Sequence, residues 1–183
     1  YFPVKTIIPS TEIVHDRVML ELFRGCIRGC RFCQAGYTYR PVRNRSPKLL
    51  AEYGRAACED SGYQEMTLSS LSSTDYPCLL ELCDDLLDYC APRDIGLSLP
   101  SLRADTFSMN LMERLQRVRK GGLTFAPEAG TQRLRDAINK NLKEEDLLQS
   151  VRTAFSGGWS GVKLYFMLGL PTETDEDVLG IAD

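Results

Sequence analysis

Histidine is almost missing from this chain: His15 is the only one among 183 residues. A closed zinc site built on thiols would therefore have only His15 or a distant cysteine as its fourth ligand. No long apolar run is present, so nothing reads as a transmembrane helix or signal peptide, and the expected setting is a reducing cytoplasm with no membrane partner. An excess of one charge is also lacking. The net charge of -3, from 22 basic and 25 acidic residues, argues against wholesale nucleic-acid binding and leaves only local patches for such a role. A 43% hydrophobic and 26% charged composition is that of an ordinary globular protein, and this length supports one domain with a substantial core.

Cysteine, by contrast, is plentiful and unevenly spaced. Three of the seven fall within residues 21–39 (ELFRGCIRGCRFCQAGYTY), where Cys26, Cys30 and Cys33 form a CxxxCxxC run. Gly25, Gly29 and Gly36 supply unhindered backbone, so a short loop there can wrap one compact inorganic object. Iron–sulfur proteins ordinarily give a cubane cluster four cysteine ligands, whereas this run stops at three. One iron would then keep an open position, by the logic that separates catalytic from closed structural zinc sites. Cys58, Cys78, Cys83 and Cys90 show no chelating repeat and are expected in the core. Two competing readings are a zinc knuckle and an electron carrier with Cys58 as fourth ligand; the second is weakened because Cys58 falls in a helical stretch.

The CxxxCxxC run, with the aromatic Phe32 before its last cysteine, resembles the signature of radical S-adenosylmethionine (SAM) enzymes. Within that superfamily CRFCQAGYTYRPVR is similar to the motif of an uncharacterised family. The stretches EAGTQRLRDAINKN and YFMLGLPTETDED resemble those of methylthiotransferases and of radical enzymes with cobalamin-binding domains. The resemblance implies a 4Fe-4S cluster on Cys26, Cys30 and Cys33, with the unique iron chelating the amino and carboxylate groups of SAM. It also implies reductive cleavage to methionine and a 5′-deoxyadenosyl radical, fed by an external electron donor of flavodoxin or ferredoxin type, with Phe32 against the adenine. The final reaction stays open between methylation, sulfur insertion (methylthio transfer included) and rearrangement.

The rest of the chain alternates strand and helix. Apolar runs predict strands at 17–23, 64–71, 94–99, 122–126 and 161–168, with helices at 47–60, 77–89, 106–119 (capped by Asp105), after Thr131, and at 143–155. Such alternation argues an α/β fold with a parallel sheet and right-handed crossovers. The family resemblance implies a partial (β/α)6 TIM-like barrel, which would place one more unit beyond Asp183. Residues 1–16, with a short apolar run at 4–8, read as a lead-in strand or arm, and 17–183 as the core domain.

Ligands of such folds bind at the C-terminal strand ends, and polar oddities do collect there. After the second strand, Ser70 and Ser72 stand where the resemblance places a GGE-like segment contacting the methionine amino group. After the third come Ser98 and Arg103, expected near the ribose or carboxylate, although Arg103 also flanks Asp105 as an ordinary ion pair would. Glu128, after the fourth, can accept the ribose hydroxyls or the ammonium of SAM. Leu168 and Gly169, after the fifth, would offer backbone to the adenine edge. Residues 40–48 (RPVRNRSPK), with Arg40, Arg43, Arg45 and Lys48, add a basic segment beside the cysteines. It reads as a solvated face, as a clamp for an anionic partner, RNA included, or as positive charge raising the cluster potential. The ligand count makes a prediction: alanine at Cys26, Cys30 or Cys33 abolishes the visible iron–sulfur absorbance of reconstituted protein, while alanine at Cys58, Cys78, Cys83 or Cys90 leaves it. Loss of the absorbance in Cys58→Ala would overturn the three-ligand reading.

Overall fold

The computed structural model describes residues 3, 5–119 and 121–182. In chain order its elements are β1 (Val18–Glu21), β2 (Phe23–Arg24), α1 (Gln34–Thr38), β3 (Arg43–Asn44), α2 (Pro47–Ser61), β4 (Glu65–Ser69) and α3 (Leu79–Cys90). There follow β5 (Gly96–Ser98), α4 (Met109–Leu115), β6 (Leu123–Glu128), α5 (Gln132–Ala137), α6 (Glu144–Ser156), β7 (Val162–Phe166) and α7 (Asp175–Leu179).

Val18 and Leu20 of β1 are buried while Met19 between them is not, the period-2 signature of a strand with two different faces. β1, β4 and β5 pair in parallel in that spatial order, with Val18 opposite Met66 and Met66 opposite Leu97. β6 and β7 form a second parallel pair. Each parallel step needs a crossover, and α2 and α3 supply two of them, their apolar faces covering the outer side of the sheet. The fold is α/β with parallel strands, arranged as an open part of a TIM-like barrel. Among the described residues no ladder joins β5 to β6; a cavity of about 780 Å³ lies between the two sheet pieces, lined by Met19, Thr67, Ser98, Thr124 and Trp159 among others.

α2 shows how locally the helices are specified. Ser46 is extended, Pro47 takes the first turn where its missing N–H costs nothing, and Gly62 ends the helix at φ 71°, with its N–H donating to the Cys58 carbonyl. The buried stripe is Leu50, Ala51, Gly54, Ala57 and Cys58. Gly54 lets the helix sit directly on β1 and β4: a β-carbon there would lie 2.9 Å from Leu20 Cδ1 and 3.0 Å from Met66 Cε. Cys58, Cys83 and Cys90 are core residues of α2 and α3. Burial pushes their thiols up to about 12, 12 and 11, so they remain neutral packing groups.

Two expectations are corrected. The fourth helix starts at Met109 and is capped by Ser108, whose hydroxyl accepts the Leu111 N–H at 3.4 Å. Asp105 cannot cap it, because its carboxylate is held by Arg28 and Arg103 in the preceding turn. Of the apolar run at 4–8, Val4 lies outside the described residues and the others form no strand; Ile7 is exposed, and the Thr6 N–H donates to Asp60 Oδ2, 3.1 Å away. Near the other end, backbone meets backbone at Gly130, where a β-carbon would lie 2.4 Å from the Asp177 carbonyl oxygen and 2.6 Å from the Ile181 nitrogen. Among the described residues no helix is long and apolar enough to cross a membrane.

The tight seat of α2 makes a prediction. Gly54→Val overpacks the contact with Leu20 and Met66 and lowers stability in urea unfolding by about 1–3 kcal/mol. A stabilised variant would contradict the close approach of helix and sheet.

Candidate functional site

At the end of β1, Leu22 donates its N–H to the Ser69 carbonyl, and the two-residue antiparallel ribbon of β2 and β3 then turns the chain away from the sheet. The cysteine loop leaves from this ribbon. Gly25 begins it at φ +97°, and no other residue would fit, since a β-carbon would lie 2.3 Å from the Tyr39 carbonyl oxygen. The Cys33 N–H donates to the Cys30 carbonyl at 3.1 Å, which tightens the loop before α1, and Gly36 of α1 lies against the Cys33 sulfur. Cys26 is buried, whereas Cys30 and Cys33 are half-buried.

The loop is fixed to the barrel from three directions. Arg28 gives Nε and Nη2, one edge of its guanidinium, to the two carboxylate oxygens of Asp75, beyond β4, with Nε to Oδ2 at 2.9 Å, and its Nη1 reaches Asp105, beyond β5, at 3.3 Å. Arg31 donates its N–H to the Ile138 carbonyl and its Nη1 to the Ala137 carbonyl, while Asn139 Nδ2 donates to the Gly29 carbonyl at 2.7 Å, which docks the loop on the end of α5. Arg40 closes the far side, donating to the Gly36 and Arg28 carbonyls at 2.7 and 2.9 Å.

The electrostatics follow from this packing. Burial pushes the Cys30 thiol up, opposed by the positive charges of Lys140 and Arg103 and reinforced by the neighbouring Cys33 and Cys26. The three thiols therefore feel one another, and cations stand ready to compensate a cluster of anionic sulfur ligands. Burial alone would raise the Asp75 carboxyl, but the hydrogen bonds from Arg28, with help from Ser72 and the charge of Arg103, outweigh it and hold Asp75 below its ordinary value. Arg28 is shifted up, chiefly by the same Asp75 bond.

Among the described residues no three Cys, His, Asp or Glu side chains are gathered closely enough to hold a single metal ion. Three thiolates around one zinc at 2.3 Å would stand only about 3.8 Å apart. A cubane, which spreads its ligands over separate irons, asks for wider spacing, and three thiols held by one short loop beside compensating cations suit that donor set.

The remaining sequence-predicted residues do not meet in one cavity. Phe32 stands part-exposed on the loop. Ser70 lines a cavity of about 420 Å³ with Glu21, Gly25, Tyr39 and Leu71, beside the root of the cysteine loop, and its hydroxyl shares a hydrogen bond with Ser73 at 3.1 Å. Ser72 is buried beside Asp75. Ser98 lies elsewhere, in the barrel lumen, where its hydroxyl meets Thr67 at 2.8 Å and donates to Glu65, itself bonded to Arg17 at 2.6 Å. Arg103 grips Asp105 through Nε at 2.9 Å and also reaches the Lys140 carbonyl, so the ordinary ion pair is formed and it also ties β5 to the α5 end. Leu168 is exposed, and the Gly169 N–H, at φ +80°, donates to Glu173.

Glu128 has the most unusual setting. Between Phe125 and Glu128 β6 advances three residues while β7 advances two, from Leu164 to Phe166, so one extra residue bulges out around Pro127, which has no N–H for the ladder. Glu128 itself adopts φ 71°, a left-handed conformation costly for a residue with a side chain, and its carbonyl accepts the Met167 N–H at 2.8 Å. A bulge beside a strand end re-aims a side chain, and here the carboxylate meets Lys140 Nζ at 3.1 Å. Sequence reasoning missed Lys140 and Asp75 as partners, and Asp105 as a partner of Arg28. The two acids each follow a strand exit and could have been suspected; Lys140 carried no signal.

Three comparisons bear on this arrangement. The family model described as the Radical SAM superfamily matches residues 20–183. An uncharacterized protein of Methanocaldococcus jannaschii is 41% identical over 160 residues, covering 87% of this chain and 34% of that protein. A provisionally named methylthiotransferase of the same organism is 24% identical over 183 residues, covering 94% of this chain and 39% of its own. The chain thus spans about a third of the length of these relatives. Among solved structures, the radical SAM methyltransferase TsrM from Kitasatospora setae, with tryptophan and a SAM analogue bound, superposes with a TM-score of 0.72 at 14% identity, over 91% of this chain and 33% of that one. The cobalamin-dependent SAM radical enzyme OxsB gives 0.67, also at 14%, over 88% and 25%. At such identities the likeness is one of fold.

The Arg28–Asp75 pair gives a prediction with a defined pH dependence. Because the folded state holds Asp75 below its ordinary value, its contribution is fully present above about pH 4 and is lost as pH falls through the lower folded value. Asp75→Asn therefore destabilises the protein by about 1–3 kcal/mol at pH 7, and the gap to wild type narrows in unfolding titrations below about pH 4. A gap that widened on acidification would refute the pairing.

Proposed function

The chain belongs to the radical SAM superfamily, and on that premise we propose that it is the catalytic core of an enzyme in which Cys26, Cys30 and Cys33 hold the 4Fe-4S cluster. The single observation that carries this reading is the set of three thiols on one loop pinned over the strand ends by Arg28, while Cys58, Cys83 and Cys90 are packed in the core. When bound, the reduced cluster and SAM together supply cleavage of the sulfonium to methionine and a 5′-deoxyadenosyl radical. The protein's part is to hold, orient and exclude water.

The residues divide that work between them. Glu128, already aimed by the bulge and paired with Lys140, offers a carboxylate to the ribose hydroxyls or ammonium of SAM. Ser70 and the backbone around it offer acceptors in the cavity beside the cysteine loop, and Phe32 offers a ring to the adenine. Arg103 acts through Asp105 as a support of the loop, and Ser72 offers a buried hydroxyl that has no hydrogen-bond partner among the described residues. Ser98 faces the lumen with Thr67 and contributes to substrate space. Leu168 and Gly169 offer backbone at the exit of β7.

In this reading residues 1–16 are a lead-in arm and 17–183 the core, working in the cytoplasm with an electron donor of flavodoxin or ferredoxin type. The reaction on substrate is methyl or methylthio transfer, the activities named for the similar proteins, and RNA is the substrate class that the basic segment favours.

The test is spectroscopic. Anaerobically reconstituted, reduced protein changes its electron paramagnetic resonance spectrum on addition of SAM and slowly releases 5′-deoxyadenosine without substrate. In the same titration Glu128→Ala keeps its cluster but needs about five- to 150-fold more SAM, as expected for a lost charge-assisted hydrogen bond. Cluster-loaded protein that gave neither response would be an electron carrier instead.

A further inference from the structure

From Leu22 to Ala51 the sequence contains seven basic residues and no acidic one, in a chain whose net charge is -3; the remainder therefore carries -3 - 7 = -10. Three of the seven are neutralised by carboxylates from other elements: Arg24 and Arg45 by Glu21, and Arg28 by Asp75 and Asp105. Arg31, Arg40, Arg43 and Lys48 are exposed and form no ion pair among the described residues. The same 22–51 segment carries two exposed rings: Tyr37 is 55% and Tyr39 48% exposed. The Arg40 guanidinium lies 5.6 Å from the Tyr37 ring centroid, so one cation already stands within cation–π range of one ring.

Cations spaced along a loop with aromatic faces between them match an unpaired nucleic-acid strand, whose phosphates take the charges and whose bases take the rings. An acidic protein surface would use the cations and leave the ring faces idle. We propose that the outer face of the cysteine loop, α1 and β3 is a docking surface for a single-stranded nucleic acid, which presents a nucleotide to the cofactor site directly beneath. The proposal rests on the radical SAM reading for its purpose, but not for its physical basis, which is charge and ring exposure. Tyr39 joins the two regions: it stands on the docking face and also lines the 420 Å³ cavity that reaches Ser70.

The test uses cluster-loaded protein and fluorescence anisotropy with labelled single-stranded RNA of about a dozen nucleotides, the DNA strand of the same sequence, and the RNA duplex. Single strands bind more tightly than the duplex, and affinity falls with salt by a log–log slope of about -0.7 for each phosphate neutralised. Binding of either strand supports the proposal, the tighter one naming the source. Tyr37→Ala weakens binding by about five- to 150-fold, and Arg43→Ala and Lys48→Ala each flatten the salt slope by about 0.7, while 5′-deoxyadenosine release without substrate is unchanged in all three. Absence of strand binding in protein that still cleaves SAM would overturn this proposal and leave the enzyme reading intact. So would tighter binding of the duplex. If instead Arg43→Ala and Lys48→Ala slowed reduction by a reduced flavodoxin without altering strand affinity, the face would belong to the electron donor and the proposal would fail.

Discussion

One guanidinium holds the site in place. Arg28 is a member of the cysteine run itself, yet its partners, Asp75 and Asp105, come from the exits of two different parallel strands. The apolar side chains of the cysteine loop, Ile27 and Phe32, stay exposed rather than anchoring it, so its position over the barrel comes from polar contacts. Planar, bidentate Arg–carboxylate pairing provides both strength and direction, which a single lysine could not. Arg103, on the same Asp105, extends the tie to the carbonyls after α5, where Asn139 and the Arg31 backbone complete it. The thiols are thereby fixed relative to β4, β5 and β6 together.

Around this pin the molecule separates rigid from permissive regions. α2 and α3 bury Leu50, Leu82, Leu86 and Leu87 against β1 and β4, and their neutral cysteines belong to that packing. The lumen side is different. Met19, Thr67, Ser98 and Thr124 line open space where a closed eight-stranded barrel would fill its interior with branched apolar side chains. An inner wall of hydroxyls, backed by the Arg17–Glu65 pair, is suited to receive polar groups.

What the sequence disclosed was local. The cysteine run, the strand–helix alternation, the Gly62 stop and the Thr131 cap on Leu134 each depend on a few neighbouring residues, and each could be read without the fold. What it hid was pairing at a distance. Arg28 and Asp75 are separated by 47 residues, and nothing in either neighbourhood names the other. Glu128 could be placed at a strand exit, but its left-handed backbone and its bulge depend on the register with β7, more than thirty residues on. The capping error at Asp105 has the same origin: an acid near a helix start is a good cap only when no arginine claims it first. The basic segment was legible as charge, but which of its arginines meet a carboxylate emerges only from the folded ion pairs.

The close approach at Gly130 has a consequence for how this architecture tolerates drift. There the turn after β6 rests directly on the backbone that ends α7, with Gly180 packed against the Thr131 methyl group on the opposing side. The separation between the exit carrying Glu128 and the exit carrying Gly169 is thus gauged by peptide against peptide. Such a gauge has no adjustable part: neighbouring side chains can be exchanged over evolutionary time without changing its length. Pocket walls can diversify toward new substrates while the spacing of the ligand-facing ends stays constant, and a β-carbon at residue 130 is an alteration the gauge does not accept.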